Sequence, residues 1–193
     1  MIPKHWQDNI EKLFKDEPEG DKVVVVLSSI LDFMLTKNWR GACHESCGVL
    51  YVLLNELGLE CEWRLGGVKF KDEKTTDGKA ICFDHSWILL HGKIIDLAIC
   101  RTNAPSFDKA PTVMDRNIEN SEEPFAVYDY TSGQDDDIHA ARVKATPLSS
   151  YFDKSSLHKK LGTWLFIQQI SGKVMQPASI VSLRKKYNGI YWK

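Results

Sequence analysis

The sequence predicts an α+β fold in which a helix with a cysteine in its first turn packs on an antiparallel sheet, with further helices ahead of it. Three observations lead there. Residues 43 to 57 carry apolar side chains at helical spacing. Residues 81 to 90 and 94 to 100 are two apolar runs that meet at His91-Gly92-Lys93, a hairpin signal. Residues 5 to 15 and 22 to 36 hold two more helical patterns upstream.

In chain order, Trp6, Ile10, Leu13 and Phe14 mark the first helix, and a turn at Glu17-Pro18-Glu19-Gly20 ends it. Residues 22 to 36 are too long for one strand and read as a buried helix despite the β-branched start. At about 100° per residue, Cys43, Cys47, Leu50, Leu54 and Leu57 share one stripe of the third helix, and Gly58 stands where a C-terminal cap belongs. A strand is expected in Glu60–Leu65, with Gly66-Gly67 as a bend or bulge, then a surface loop over residues 71 to 79. After the hairpin, residues 101 to 123 read as a long loop of the kind that forms lids. Residues 124 to 130 suit a strand, residues 133 to 137 a solvated turn, and residues 155 to 170 and 178 to 187 two helices. The length, 193 residues, suits a single domain over 1–193.

Composition narrows the function classes. The chain is 43% hydrophobic and 26% charged with a net charge of -1, which argues against electrostatic capture of nucleic acid or an anionic membrane. No apolar run approaches the roughly 20 residues that span a bilayer, and the charged amphipathic start is unlike a secretory signal. Five cysteines, an odd number in apolar or motif-like surroundings, fit free thiols in a reducing compartment, so a cytoplasmic location is expected.

The chemistry concentrates between Asn38 and Cys100. A thiol becomes a nucleophile as its thiolate, and a helix N-terminus stabilises that anion. Cys43 opens its helix; Cys47, one turn deeper on the same stripe, belongs to the core, where burial holds it as the thiol. On the first hairpin strand, alternation puts His85, Trp87 and Leu89 on one face. A two-residue turn then sets Asp96 across from Trp87 or Leu89, on the face of His85 and diagonal to it. A three-residue turn without a bulge would put Asp96 on the opposite face. Nucleophile on a helix tip, base on a strand and carboxylate on the next strand is the arrangement of activated-nucleophile enzymes. The Cys43 backbone N–H suits one oxyanion donor, with Asn38 or the Trp39 indole as a second. His44 and Glu45, in the helix's first turn, read as a solvated pair with access to substrate, and Trp87 as a packing aromatic beside the site. Cys43, His44 and Cys47 lack the second close-spaced pair of a structural zinc site, so no metal and no cofactor is expected.

The run GACHESCGVLYVLLNELGLECEWRLGG resembles the transglutaminase-core signature of a Gly-x-Cys helix start, an apolar helix and a Leu-Gly turn into a strand. DHSWILLHGKIIDLA is similar to that family's His-x-Trp strand, Gly turn and closing Asp. The resemblance implies a papain-like fold, with Cys43 as nucleophile, His85 as base and Asp96 as orienter, acting on a carboxamide or amide bond of a peptide or protein. The chain departs from the pattern after Asp96: it reads Asp96-Leu97-Ala98, with no Pro or Thr where that family often continues Asp-Pro, and residues 101 to 193 match none of its motifs. Arg40-Gly41-Ala42-Cys43-His44-Glu45 also resembles the Arg-Gly-Gly-x-Cys-x-Glu run of arylamine N-acetyltransferases, which leaves an N-acyltransferase as the alternative enzyme, and a silent binding module that keeps the fold as the alternative class.

Overall fold

A computed structural model describes residues 1–74, 78–129, 138–154 and 162–193. The fold is α+β: seven helices and one six-stranded antiparallel sheet among the described residues. The helices are α1 (Lys4–Phe14), α2 (Gly20–Thr36), α3 (Cys43–Glu56), α4 (Ile138–Lys144), α5 (Leu148–Lys154), α6 (Thr163–Ser171) and α7 (Ile180–Lys186). The strands are β1 (Cys61–Lys74), β2 (Ala80–Leu90), β3 (Lys93–Asp96), β4 (Thr112–Val113), β5 (Arg116–Asn117) and β6 (Ala126–Tyr128), in spatial order β5-β4-β3-β2-β1-β6. Among the described residues no helix is long and apolar enough to cross a membrane.

α2 forms in spite of its valine run because seven of its apolar side chains, Val23, Val24, Val26, Leu27, Ile30, Leu31 and Met34, are buried. Burial on this scale outweighs the few tenths of a kcal/mol that each β-branched residue costs a helix, roughly. α3 ends at Gly58, whose φ of +79° is the left-handed cap that the sequence pattern calls for. Its side of the sheet is the larger core: Trp63 and Leu65 of β1, Ile88 and Leu90 of β2 and Ile95 of β3 pack with Val49, Leu50, Leu53 and Leu54. A second cluster occupies the other face, with Val68, Phe70, Ile81, Trp87 and Ile99 at its centre.

Two corrections concern β1. Gly66-Gly67 is neither bend nor bulge: the strand runs through it, pairing Gly66 with His85 and Gly67 with Asp84. The glycine at 66 instead makes room, since a Cβ there would lie 3.0 Å from the Trp87 ring. The strand also extends to Lys74, taking in the first part of the expected 71–79 loop. That stretch alternates poorly, and contacts at its two ends, the Lys71 amide on the Phe125 carbonyl and Lys74 paired with Ala80, hold it extended.

The hairpin turn is His91-Gly92, with φ of +52° and +75°, so Leu90 pairs with Lys93 and Ile88 with Ile95. β3 is shorter than expected: it stops at Asp96, and Ala98–Arg101 forms a 3-10 turn where residues 94 to 100 suggested one strand. Residues 101 to 123 are likewise not one open loop. They contain a second 3-10 turn (Pro105–Phe107) and the β4–β5 hairpin, whose turn residues Met114 and Asp115 also have positive φ. Two-residue strands are too short to register as alternation, which is why they were illegible. Residues 133 to 137, and the first part of the 155–170 helix, lie outside the described residues.

Candidate active site

α3 starts at Cys43 with Ala42 as N-cap and no side-chain cap, so its first N–H groups meet no capping oxygen. The approach is shaped by Gly41 at φ +61°, where a Cβ would lie 1.9 Å from Asn103 Oδ1. One turn into the helix, Cys47 is 2% exposed and donates its thiol to the Ser86 carbonyl at 2.9 Å, which docks the helix on β2. That contact brings Cys43 to His85, and both line one cavity of about 330 Å³.

His85, 3% exposed, places Nε2 2.8 Å from Asp96 Oδ2. The two-residue turn sets the parity: continuing the β2–β3 register puts Asp96 opposite Trp87 and on the face of His85. Asp96 is fully buried and surrounded by donors. Its Oδ2 accepts from His85 and from the Tyr128 hydroxyl at 2.9 Å, and its Oδ1 from the Ala98 and Ile99 amides at 3.1 and 3.2 Å. Leu97 leads into the 3-10 turn whose first two amides bind this carboxylate.

The electrostatics separate the two helix cysteines. Burial pushes the Cys43 thiol up, but hydrogen bonds and charge from His44 and His85 prevail and pull it down to about 5. Burial pulls the His85 imidazolium down, yet Asp96 and the Cys43 thiolate hold it up at about 10. With Nε2 taken by Asp96, Nδ1 is the ring nitrogen for the sulfur. Cys47 has no such partner: burial, then the Asp96 and Cys43 charges, drive it well above the ordinary thiol range. A thiolate–imidazolium pair backed by a buried carboxylate can attack a carbonyl and return a proton to a leaving group.

Of the remaining sequence-predicted residues, Trp87 packs as expected and the others fall elsewhere. His44 and Glu45 are buried rather than solvated: His44 Nδ1 lies 2.6 Å from Ser86 Oγ, and Glu45 accepts from the Thr163 hydroxyl at the start of α6. Trp39 packs edge-on against Phe33 and Phe166, Asn38 accepts from Arg40 Nε, and neither lines the cavity beside Cys43. Trp87 is buried in the second cluster, edge-on to Tyr128. Sequence reasoning missed Tyr128, since a strand three residues long beyond the hairpin offers no signal that it pairs with β1 and reaches Asp96. It also missed the wall. Arg40, three residues before Cys43, forms a two-pronged ion pair with Asp108 at 2.7 and 3.0 Å. Asp108 also accepts from the Thr102 amide and hydroxyl, so the segment expected as a lid is fastened beside the site.

Among the described residues no group of three or more His, Cys, Asp or Glu side chains is placed to hold a metal ion. The chain matches no protein-family model, and neither a curated protein nor a solved structure is significantly similar to it.

Proposed function

We propose that this chain is a cysteine-dependent acyl-transfer enzyme acting on amide bonds, with a papain- and transglutaminase-like core and with Cys43, His85 and Asp96 as its triad. The observation that carries the reading is the chain of contacts from the thiol at the uncapped start of α3, through His85, to the buried Asp96 carboxylate 2.8 Å away. Five free cysteines, two of them fully or nearly buried, suit work in a reducing, cytoplasmic setting.

In the proposed reaction the Cys43 thiolate attacks the carbonyl carbon of a peptide or carboxamide. The oxyanion develops against the Cys43 backbone N–H at the helix start. The C–N bond breaks, the amine leaves with the proton from His85, and a thioester to Cys43 remains. Water, deprotonated by His85, then attacks the thioester, the C–S bond breaks, the acyl group leaves as the carboxylic acid, and the thiolate–imidazolium pair is restored. Asp96 keeps the imidazole in one orientation and tautomer through both halves. With water as acceptor the outcome is proteolysis or deamidation.

The test is acyl-enzyme trapping with p-nitrophenyl acetate. The wild-type chain is expected to gain the mass of one acetyl group, localised to Cys43 and released by hydroxylamine. Cys43→Ala should not acylate, and His85→Ala should acylate at least tenfold more slowly. Acetylation that survives Cys43→Ala, or ignores His85→Ala, contradicts the reading.

A further inference from the structure

The cavity at Cys43 has walls whose chemistry narrows the acyl group. Cys43 and His85 stand on it together with Ile81 and Phe83 of β2, Ala98 of the first 3-10 turn, and Ala104 and Phe107 of the fastened segment. Ile81 and Ala98 are buried, and Phe107 packs against Phe70 of the second cluster, so the apolar wall is continuous with a core rather than a loose flap. The two charged residues on the lining, Arg101 and Asp84, are opposite in sign, and Arg101 also turns Nη1 toward Asp108 at 3.6 Å, a carboxylate it shares with Arg40. The volume of about 330 Å³ is at the small end of ligand pockets, about 300–1,000 Å³. It suits a compact side group rather than a length of polypeptide.

We propose that this cavity is an acyl pocket: the group transferred to Cys43 is a short, uncharged, apolar acyl chain or the apolar side chain next to the scissile carbonyl. The inference rests on Cys43 being the acylated nucleophile. The acyl part, not the leaving group, is the occupant because it stays bonded to sulfur through both half-reactions. A cavity continuous with the sulfur can therefore hold it in both transition states, whereas the leaving group departs after the first.

The experiment is a series of p-nitrophenyl esters, from acetate to hexanoate, with acylation read from the nitrophenolate burst. In each case the C–S bond forms, the ester C–O bond breaks and nitrophenolate leaves with the electron pair. The expected result is a second-order rate constant that climbs by up to about fourfold per added methylene. An ester whose acyl chain ends in a carboxylate should react more slowly than its uncharged analogue of equal length. Phe107→Asp should flatten the climb, and Ala104→Phe, which fills the cavity without adding charge, should end it at a shorter chain. Four results overturn the proposal: a flat series in the wild type, a climb that both variants leave intact, a faster anionic ester, or a gain that tracks an enlarged leaving group at constant acetate. Iodoacetamide labelling run alongside separates the two ideas. A flat series with rapidly labelled Cys43 removes the acyl pocket alone, whereas an unreactive Cys43 removes the nucleophile on which it rests.

Discussion

Asp96 Oδ2 accepts from two donors on the same face of the sheet, His85 Nε2 of β2 at 2.8 Å and the Tyr128 hydroxyl of β6 at 2.9 Å, and Asp96 itself is fully buried. A carboxylate in that position is oriented by donors from the chain, and its orientation passes to the imidazole. Tyr128 reaches it from β6, across β1 and β2, so the site depends on the whole width of the central sheet.

Tyr128→Phe removes one donor of the four around Asp96. The expected loss is about 1.5–3 kcal/mol of stability, the usual worth of a hydrogen bond to a charged group. Urea unfolding measures it. If the carboxylate needs this donor to stay placed, Cys43 reactivity should also fall, though less than in His85→Ala. No change in the unfolding midpoint contradicts the assignment.

The pH profile of Cys43 alkylation has a sign set by the two shifts. Cys43 is depressed to about 5, so its thiolate persists as pH falls and is lost only below that value. His85 is raised to about 10, so the imidazolium partner persists as pH rises and is lost only above that value. The alkylation rate is therefore expected to hold a plateau between those limits. An ordinary thiol instead rises through about pH 8.5. A single rise centred there contradicts the ion pair.

His85→Ala removes one of the two imidazoles that draw the Cys43 thiol down. Each unit by which the thiol rises cuts the thiolate fraction about tenfold below its pKa, so labelling near pH 6 should slow by about ten- to hundredfold. His44→Ala should slow it too, through the same route and the lost contact with Ser86. A double variant no slower than His85→Ala contradicts a part for His44.

Gly41→Ala combines a residue at φ +61° with a Cβ 1.9 Å from Asn103 Oδ1. The expected cost is about 1–3 kcal/mol, from backbone strain and the displaced Asn103. Thermal or urea unfolding reads it, and an unchanged midpoint contradicts the left-handed requirement at this lead-in to Cys43.

Much of this was legible where pattern is local and repeated. The stripe of α3, its Gly58 cap and the strand parity of His85 and Asp96 follow from periods of 3.6 and 2. The sequence alone admits a turn of two or three residues, on which Asp96 depends, and the structure has two, His91-Gly92, both with positive φ. What stayed hidden rests on long-range pairing. Lys71–Lys74 is held at its ends by Phe125 and Ala80, β4 and β5 are two residues each, and Tyr128 meets Asp96 across 32 positions of chain. The expected solvation of His44 and Glu45 failed for a related reason. A polar residue in a first helical turn reads as exposed unless α6 and β2 are known to cover it, and Thr163 and Ser86 do so here.

The most direct test of Cys43 as a thiolate held by His85 and Asp96 is site-resolved labelling of the folded chain with limiting iodoacetamide near pH 6, read by peptide mass spectrometry. Cys82 is the internal control, because it is the most exposed of the five thiols and lines the same cavity. Cys43 is expected to label at least tenfold faster than Cys82, since His44 and His85 draw the Cys43 thiol down to about 5 and leave it mostly thiolate at that pH. Equal labelling of the two, or faster labelling of Cys82, would contradict the account.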